Sequence, residues 1–121
     1  MELYERARAA SASAHAPYSR FAVGAALRLS GGGVVTGVNV ENGSYGLTSC
    51  AERNAVFSAV GAGERAFEAI AVYADADSAP PCGACRQVLA EFAPELRVIF
   101  RREGEVVARP LPELLPDRFV L

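Results

Sequence analysis

This chain of 121 residues has no tryptophan and no lysine, one histidine and only three cysteines. Each shortage narrows what it can be. An odd cysteine count in a chain this sparse in sulfur suits metal ligation by reduced thiols better than a disulfide framework. Positive charge is also in short supply: twelve basic residues, all arginine, face fourteen acidic ones, for a net charge of -2. No basic run exceeds Arg101-Arg102, and nucleic-acid binding depends on neutralising phosphates, so a duplex or a long single strand is a poor partner. Long apolar runs are missing too. Gly, Arg or Asp interrupts each one well short of the roughly 20 residues that span a bilayer. The start, Met1-Glu2-Leu3-Tyr4-Glu5, lacks a basic segment and an apolar signal core. These absences point to a cytoplasmic protein with a small neutral ligand, no nucleic-acid partner and no membrane association.

What the chain has in abundance is apolar side chain, 51% of residues. At this length residues 1–121 fit one domain that buries well over half of its unfolded surface, with apolar surface left for subunit contacts. Leu3, Ala7, Ala10 and Ala14 recur at helical spacing, so the segment 2–14 reads as a helix that stops near Ala16-Pro17, because a residue before proline is pushed out of the helical region. Residues 23–29 and 34–39 read as a β-hairpin turned by Gly31-Gly32-Gly33; the triple glycine lacks the following helix and Lys-Ser/Thr of a phosphate loop. A polar loop, 40–49, leads to a buried helix over 50–60. A central strand follows at 69–74, then a helix at 82–92, strands at 96–100 and 105–108, and a short helix near 111–115. Strands alternating with helices imply a crossover topology, with helices on both faces of a mixed sheet.

The chemistry is concentrated at the starts of two helices. Cys50-Ala51-Glu52 opens one, and Pro81-Cys82-Gly83-Ala84-Cys85 opens the other. Unpaired amides and the helix dipole favour thiolates at both places. Three thiolates make a zinc site with its fourth position open, the arrangement of catalytic rather than structural zinc. Other readings compete: His15 could close the site, the cysteines could be small buried hydrophobes, or Cys82 and Cys85 could form a redox dithiol. The dithiol reading leaves Cys50 and Glu52 unexplained. Glu52, two residues from a ligand, need not bind the metal and is placed to take a proton from bound water. Three thiolates around Zn2+ leave a net charge of -1, which Arg53 or Arg86 could offset by donating to the sulfurs. Arg53 is favoured, one turn after Cys50 on the same face.

Cys-x-Glu followed by Pro-Cys-x-x-Cys is the known signature of zinc deaminases. Residues 16–27 (APYSRFAVGAAL), 39–48 (NVENGSYGLT), 50–54 (CAERN) and 81–87 (PCGACRQ) together resemble the small cytidine deaminases of nucleoside salvage. That resemblance implies a three-layer α/β/α sandwich on a mixed five-stranded sheet, cytidine deaminase-like, assembled as a homotetramer with one Zn2+ per chain. It also implies hydrolytic deamination of free cytidine and deoxycytidine: zinc-bound hydroxide attacks C4, Glu52 shuttles protons, and ammonia leaves. Cys50, Cys82 and Cys85 would hold the metal. Asn39 and Glu41 would take the ribose, Phe21 would lie against the pyrimidine, and Ala51 would contact substrate. Tyr45 belongs to a loop resembling one that reaches a neighbouring subunit's site, and Phe119 resembles a C-terminal aromatic that completes a site, though a core role suits a Phe there equally. Rival readings are a deaminase of another amino-heterocycle such as blasticidin, a polynucleotide editor, and a non-catalytic zinc-stabilised binding module.

Overall fold

The computed structural model describes residues 2–121. Its elements are α1 (Glu2–Ser11), β1 (Val23–Leu29), β2 (Val34–Val38), α2 (Ala51–Gly61), β3 (Phe67–Ala74), α3 (Gly83–Phe92), β4 (Arg97–Arg102), β5 (Glu105–Pro110) and α4 (Leu111–Leu114), with a single 3-10 turn at Tyr45–Leu47. The strands form one sheet in the order β2-β1-β3-β4-β5. Only β3 and β4 pair in parallel; β1 runs antiparallel to both β2 and β3, and β5 antiparallel to β4. The sheet is mixed and five-stranded, as the sequence implies.

Alternation along the strands gives the sheet two apolar faces. Ala25, Leu27, Ile70, Val98 and Phe100 point to one side, where they bury Ala55, Val56 and Ala59 of α2 and Leu89 of α3. Ala26, Ala69, Ala71 and Ile99 point to the other and receive Leu3, Tyr4 and Ala7 of α1. The result is three layers, helix on sheet on helix. Small residues allow the layers to approach closely. A Cβ on Gly24 would lie 2.0 Å from the Ala7 carbonyl oxygen of α1, and one on Gly37 would lie 2.5 Å from both the Ala51 oxygen and the Ala55 nitrogen of α2.

Several boundaries differ from the sequence reading: β3 starts two residues earlier, at Phe67, β4 runs on to Arg102 and β5 to Pro110, the ends of helices α2, α3 and α4 differ by one residue, and two further ends move for a visible reason. Helix α1 ends at Ser11, whose hydroxyl bonds the Arg8 carbonyl, and the chain then tightens into a turn through Ala14. Beyond it the His15 backbone bridges β2's extension, its amide donating to the Asn39 carbonyl and its carbonyl accepting from Glu41. Strand β2 ends one residue early, at Val38: the Asn39 backbone amide still donates to the Val23 carbonyl at 3.3 Å, but the Asn39 carbonyl turns to His15, so its side-chain Oδ1 accepts the Val23 amide at 2.9 Å instead, while Nδ2 donates to the Phe21 carbonyl at 2.8 Å. Among the described residues, no helix is long and apolar enough to cross a membrane.

Candidate metal centre and active site

Cys50 and Cys82 are the N-cap residues of α2 and α3, both in extended backbone conformation, and neither side chain caps its own helix. Their sulfurs are therefore free to turn toward each other in front of two sets of unpaired amides. Cys85, one turn into α3, is fully buried behind them. Cys50 and Cys82 Sγ lie 3.9 Å apart and Cys82 and Cys85 Sγ 3.4 Å apart, with all three within 4.8 Å. Sulfurs at about 2.3 Å from a tetrahedral zinc would be about 3.8 Å apart, so this donor set fits the ion. No other group of three His, Cys, Asp or Glu ligand atoms converges in this way among the described residues. His15 is not part of the cluster, so the fourth position is not closed by this chain's only histidine.

The arginines divide as the helix geometry requires. Arg53 Nη2 donates to Cys50 Sγ at 3.2 Å. Arg86 turns away from the sulfurs; its Nε holds the Pro81 carbonyl at 2.8 Å and its Nη1 the Leu114 carbonyl at 2.7 Å, tying the start of α3 to α4. The adjacent Cys85 thiol and then the Arg53 guanidinium hold Cys50 down at about 5, while Cys50 and burial push Cys85 up. One thiolate is thus ready at neutral pH, and binding a cation must displace the proton from Cys85.

Only two amide or charged side chains among the described residues are buried: Asn39, 8% exposed, and Glu52, 5% exposed. Both line the same cavity, of about 370 Å3, at the small end of small-molecule sites. Phe21, Glu41, Cys50, Ala51 and Cys82 also line it, so residues scattered over 21–82 converge on one space. Burial raises the Glu52 carboxyl well above its ordinary range, as a proton-carrying acid requires. Glu41 is held the other way: Ser19's hydroxyl donates to it, as do the amides of Tyr18 and Ser19 at 3.0 and 3.1 Å, and its carboxyl is lowered. Asn39, with Val23 and Phe21 bonded, keeps one N–H and one lone pair in reserve.

Two of the proposed contacts lie outside this cavity within a single chain. Tyr45, 76% exposed, borders a neighbouring cleft with Tyr18, Ser19, Glu41 and Thr48. Phe119 is 71% exposed, so it is not a core residue; its carbonyl is held by Gln87 Nε2 at 3.1 Å. Sequence reasoning missed the opposite wall, made by Val72 and Ala74 at the carboxyl end of β3 and by Ser78 to Pro80. The one available signal was the small residues at the end of a central strand, just before the Pro-Cys motif.

A thiolate triad at two helix starts, with a buried acid one residue beyond the first ligand's neighbour, defines a zinc-dependent hydrolase of the deaminase class. The chain belongs to the cytidine and deoxycytidylate deaminase family, whose zinc-binding-region model matches residues 1–101. It is 48% identical over 120 residues to a cytidine deaminase of Halalkalibacterium halodurans, covering 97% of this chain and 91% of that one. The crystal structure of cytidine deaminase from Burkholderia pseudomallei superposes with a TM-score of 0.93 at 50% identity, covering 98% of this chain and 97% of the other. A blasticidin-S deaminase of Bacillus cereus is 32% identical over 106 residues, 80% of this chain and 76% of that protein.

Proposed function

We propose that this protein hydrolyses free cytidine and deoxycytidine, with water, to uridine or deoxyuridine and ammonia. The observation that carries the reading is that the two buried polar side chains, Glu52 and Asn39, share one small cavity with two of the three thiolates. Zinc, when bound by the three thiolates, supplies activation of water at neutral pH. Glu52 supplies the rest of the proton chemistry. Its carboxylate accepts the proton that water gives up as oxygen bonds to C4 and passes it to ring N3; it then takes the second proton from the new C4 hydroxyl and delivers it to the amine, so that C4=O forms as the C4–N bond breaks and ammonia departs. Burial suits it to this task by making it a weaker acid than an ordinary carboxyl, readier to hold a proton. Asn39 and Glu41 hold the sugar hydroxyls, Phe21 lies against the pyrimidine, and Ala51 forms the floor beneath it. Arg53 offsets the excess negative charge of the thiolates through Cys50.

A binding module has no use for a buried acid beside an open metal position, and burying one unpaired would cost stability. We further propose a single-domain cytoplasmic protein that works as a homotetramer. Tyr45, Leu47, Phe57 and Phe119 are all more than half exposed, an apolar surface that subunit contacts would cover. Tyr45 and Phe119 would then reach a neighbouring subunit's cavity.

The test is loss of cytidine ultraviolet absorbance, followed with ammonia release, in zinc-loaded protein and in Glu52→Gln. Turnover should fall about 100-fold or more in the variant, the lower range for a general acid-base, while zinc content stays at one per chain. Near-wild-type turnover in the variant would overturn the assigned mechanism. Turnover of blasticidin but not cytidine by the zinc-loaded protein would replace the substrate and leave the chemistry in place. Sedimentation at working concentration would test the tetramer directly, a monomer overturning it.

A further inference from the structure

The metal-holding helix and the sugar-holding strand extension come from different parts of the sheet, yet a working site must keep them in fixed register. One side chain joins them. Asn54 lies on α2 one turn after Cys50, and its amide Nδ2 donates to the Val38 carbonyl at 2.7 Å while Oδ1 accepts from the Ser49 hydroxyl at 2.8 Å. The Val38 carbonyl is only an acceptor, which fixes the orientation of the amide. Val38 directly precedes Asn39, and Ser49 directly precedes Cys50. Ser49 in turn exchanges both backbone hydrogen bonds with Val40, at 2.9 and 3.0 Å, so the three residues 38–40 are tied to α2 on both sides of Asn39.

We infer that Asn54 is a positioning residue that sets the separation between the Asn39–Glu41 segment and the Cys50–Glu52 turn; this rests on the deaminase reading above. The task needs one donor and one acceptor on a short rigid stem. Aspartate offers no donor to the Val38 carbonyl, and alanine offers neither group. Loss of the link leaves the thiolates in place, because Cys50, Cys82 and Cys85 are held by their own helices. It releases instead the partly buried Val38 carbonyl and the Ser49 hydroxyl, and with them the depth of the sugar-holding segment.

The experiment compares wild-type protein with Asn54→Ala and Asn54→Asp, each also in a Glu41→Gln background, in cytidine turnover and amide hydrogen exchange. Both single variants should keep one zinc per chain and lose about tenfold in kcat/KM, the loss expected for one buried hydrogen bond, mainly through KM. In the Glu41→Gln background the same substitutions should cost less than about threefold, because a misplaced sugar contact has already been removed. Equal losses in both backgrounds, or wild-type kinetics in Asn54→Ala, would overturn the proposal. If Asn54→Ala does not fold, Ser49→Ala removes one of the two bonds and should show the same background dependence at smaller size. Exchange at the Val40 and Ser49 amides separates this idea from the deaminase reading. Faster exchange in Asn54→Ala supports the link even if cytidine is not the substrate, and unchanged exchange overturns it.

Discussion

Arg53 shows how one side chain can tune a cluster it does not join. Its guanidinium is 3.2 Å from Cys50 and is itself made more basic by that sulfur. Arg53→Ala should therefore raise the Cys50 pKa and weaken zinc retention, by about 10-fold or more, as found for groups supporting metal ligands. Competition with a chelator at fixed pH measures it, and unchanged retention would mean the contact does nothing for the metal. A Lys substitution should restore only part of the loss, since a point charge does not reproduce the fork of donors. Glu41 offers a test in acid. Its folded-state pKa lies below the ordinary value, chiefly through the Ser19 hydroxyl, so the fold favours the ionised form. That contribution is complete above the unfolded value and disappears as pH falls through the lowered folded one. Amide exchange at Tyr18 and Ser19 should thus lose protection only below the usual carboxylate range, and Glu41→Gln should abolish the pH dependence.

At the scale of elements, two glycines separate fold from site. Gly37 lies under the first turn of α2 and Gly24 under α1, on opposite faces of the sheet, and each is in a contact that a methyl group would violate. Overpacking of this kind costs roughly 1–3 kcal/mol. Gly37→Ala and Gly24→Ala should both lower the midpoint of urea unfolding, but only Gly37→Ala should weaken zinc binding, because it displaces the turn that carries Cys50 and Glu52. Equal zinc affinity in the two variants would show that α2 moves as a rigid body without disturbing its start. The elements themselves were legible in the sequence because local chemistry marks them: Gly31 to Gly33 turns the hairpin, and the apolar run before Asp75 marks the central strand. The site was legible where residues sit close together in sequence, as in Cys50-Ala51-Glu52 and Cys82 to Cys85. Strand order was not legible, since it depends on which faces pack. Nor was the Asn39 side chain's replacement of one ladder hydrogen bond, or the wall at Ser78 to Pro80, because neither leaves a periodic signal. The fate of Arg86 was also hidden, because its partner, the Leu114 carbonyl, is brought close only by the fold.

For the molecule as a whole, the question is how much of its stability belongs to the metal. The sheet carries an apolar core on each face, and the α1 side contains no metal ligand. The zinc-free chain should therefore remain folded, unlike a zinc finger, whose core is too small without its ion. What removal should cost is local: two helix starts and three sulfurs lose the cation that holds them together, although the Asn54 and Arg86 links remain. Because the metal binds the folded site alone, stability should rise with free zinc as mass action requires, by about 1.4 kcal/mol for each tenfold excess over the dissociation constant. Thermal unfolding with and without chelator should show a lower but still cooperative transition in the zinc-free protein, restored by adding zinc. Hydrogen exchange should place the loosened amides at the starts of α2 and α3 and spare α1 and β3. A zinc-free protein without a cooperative transition would show instead that the thiolate cluster is part of the core, with the two helices depending on the metal to dock against the sheet.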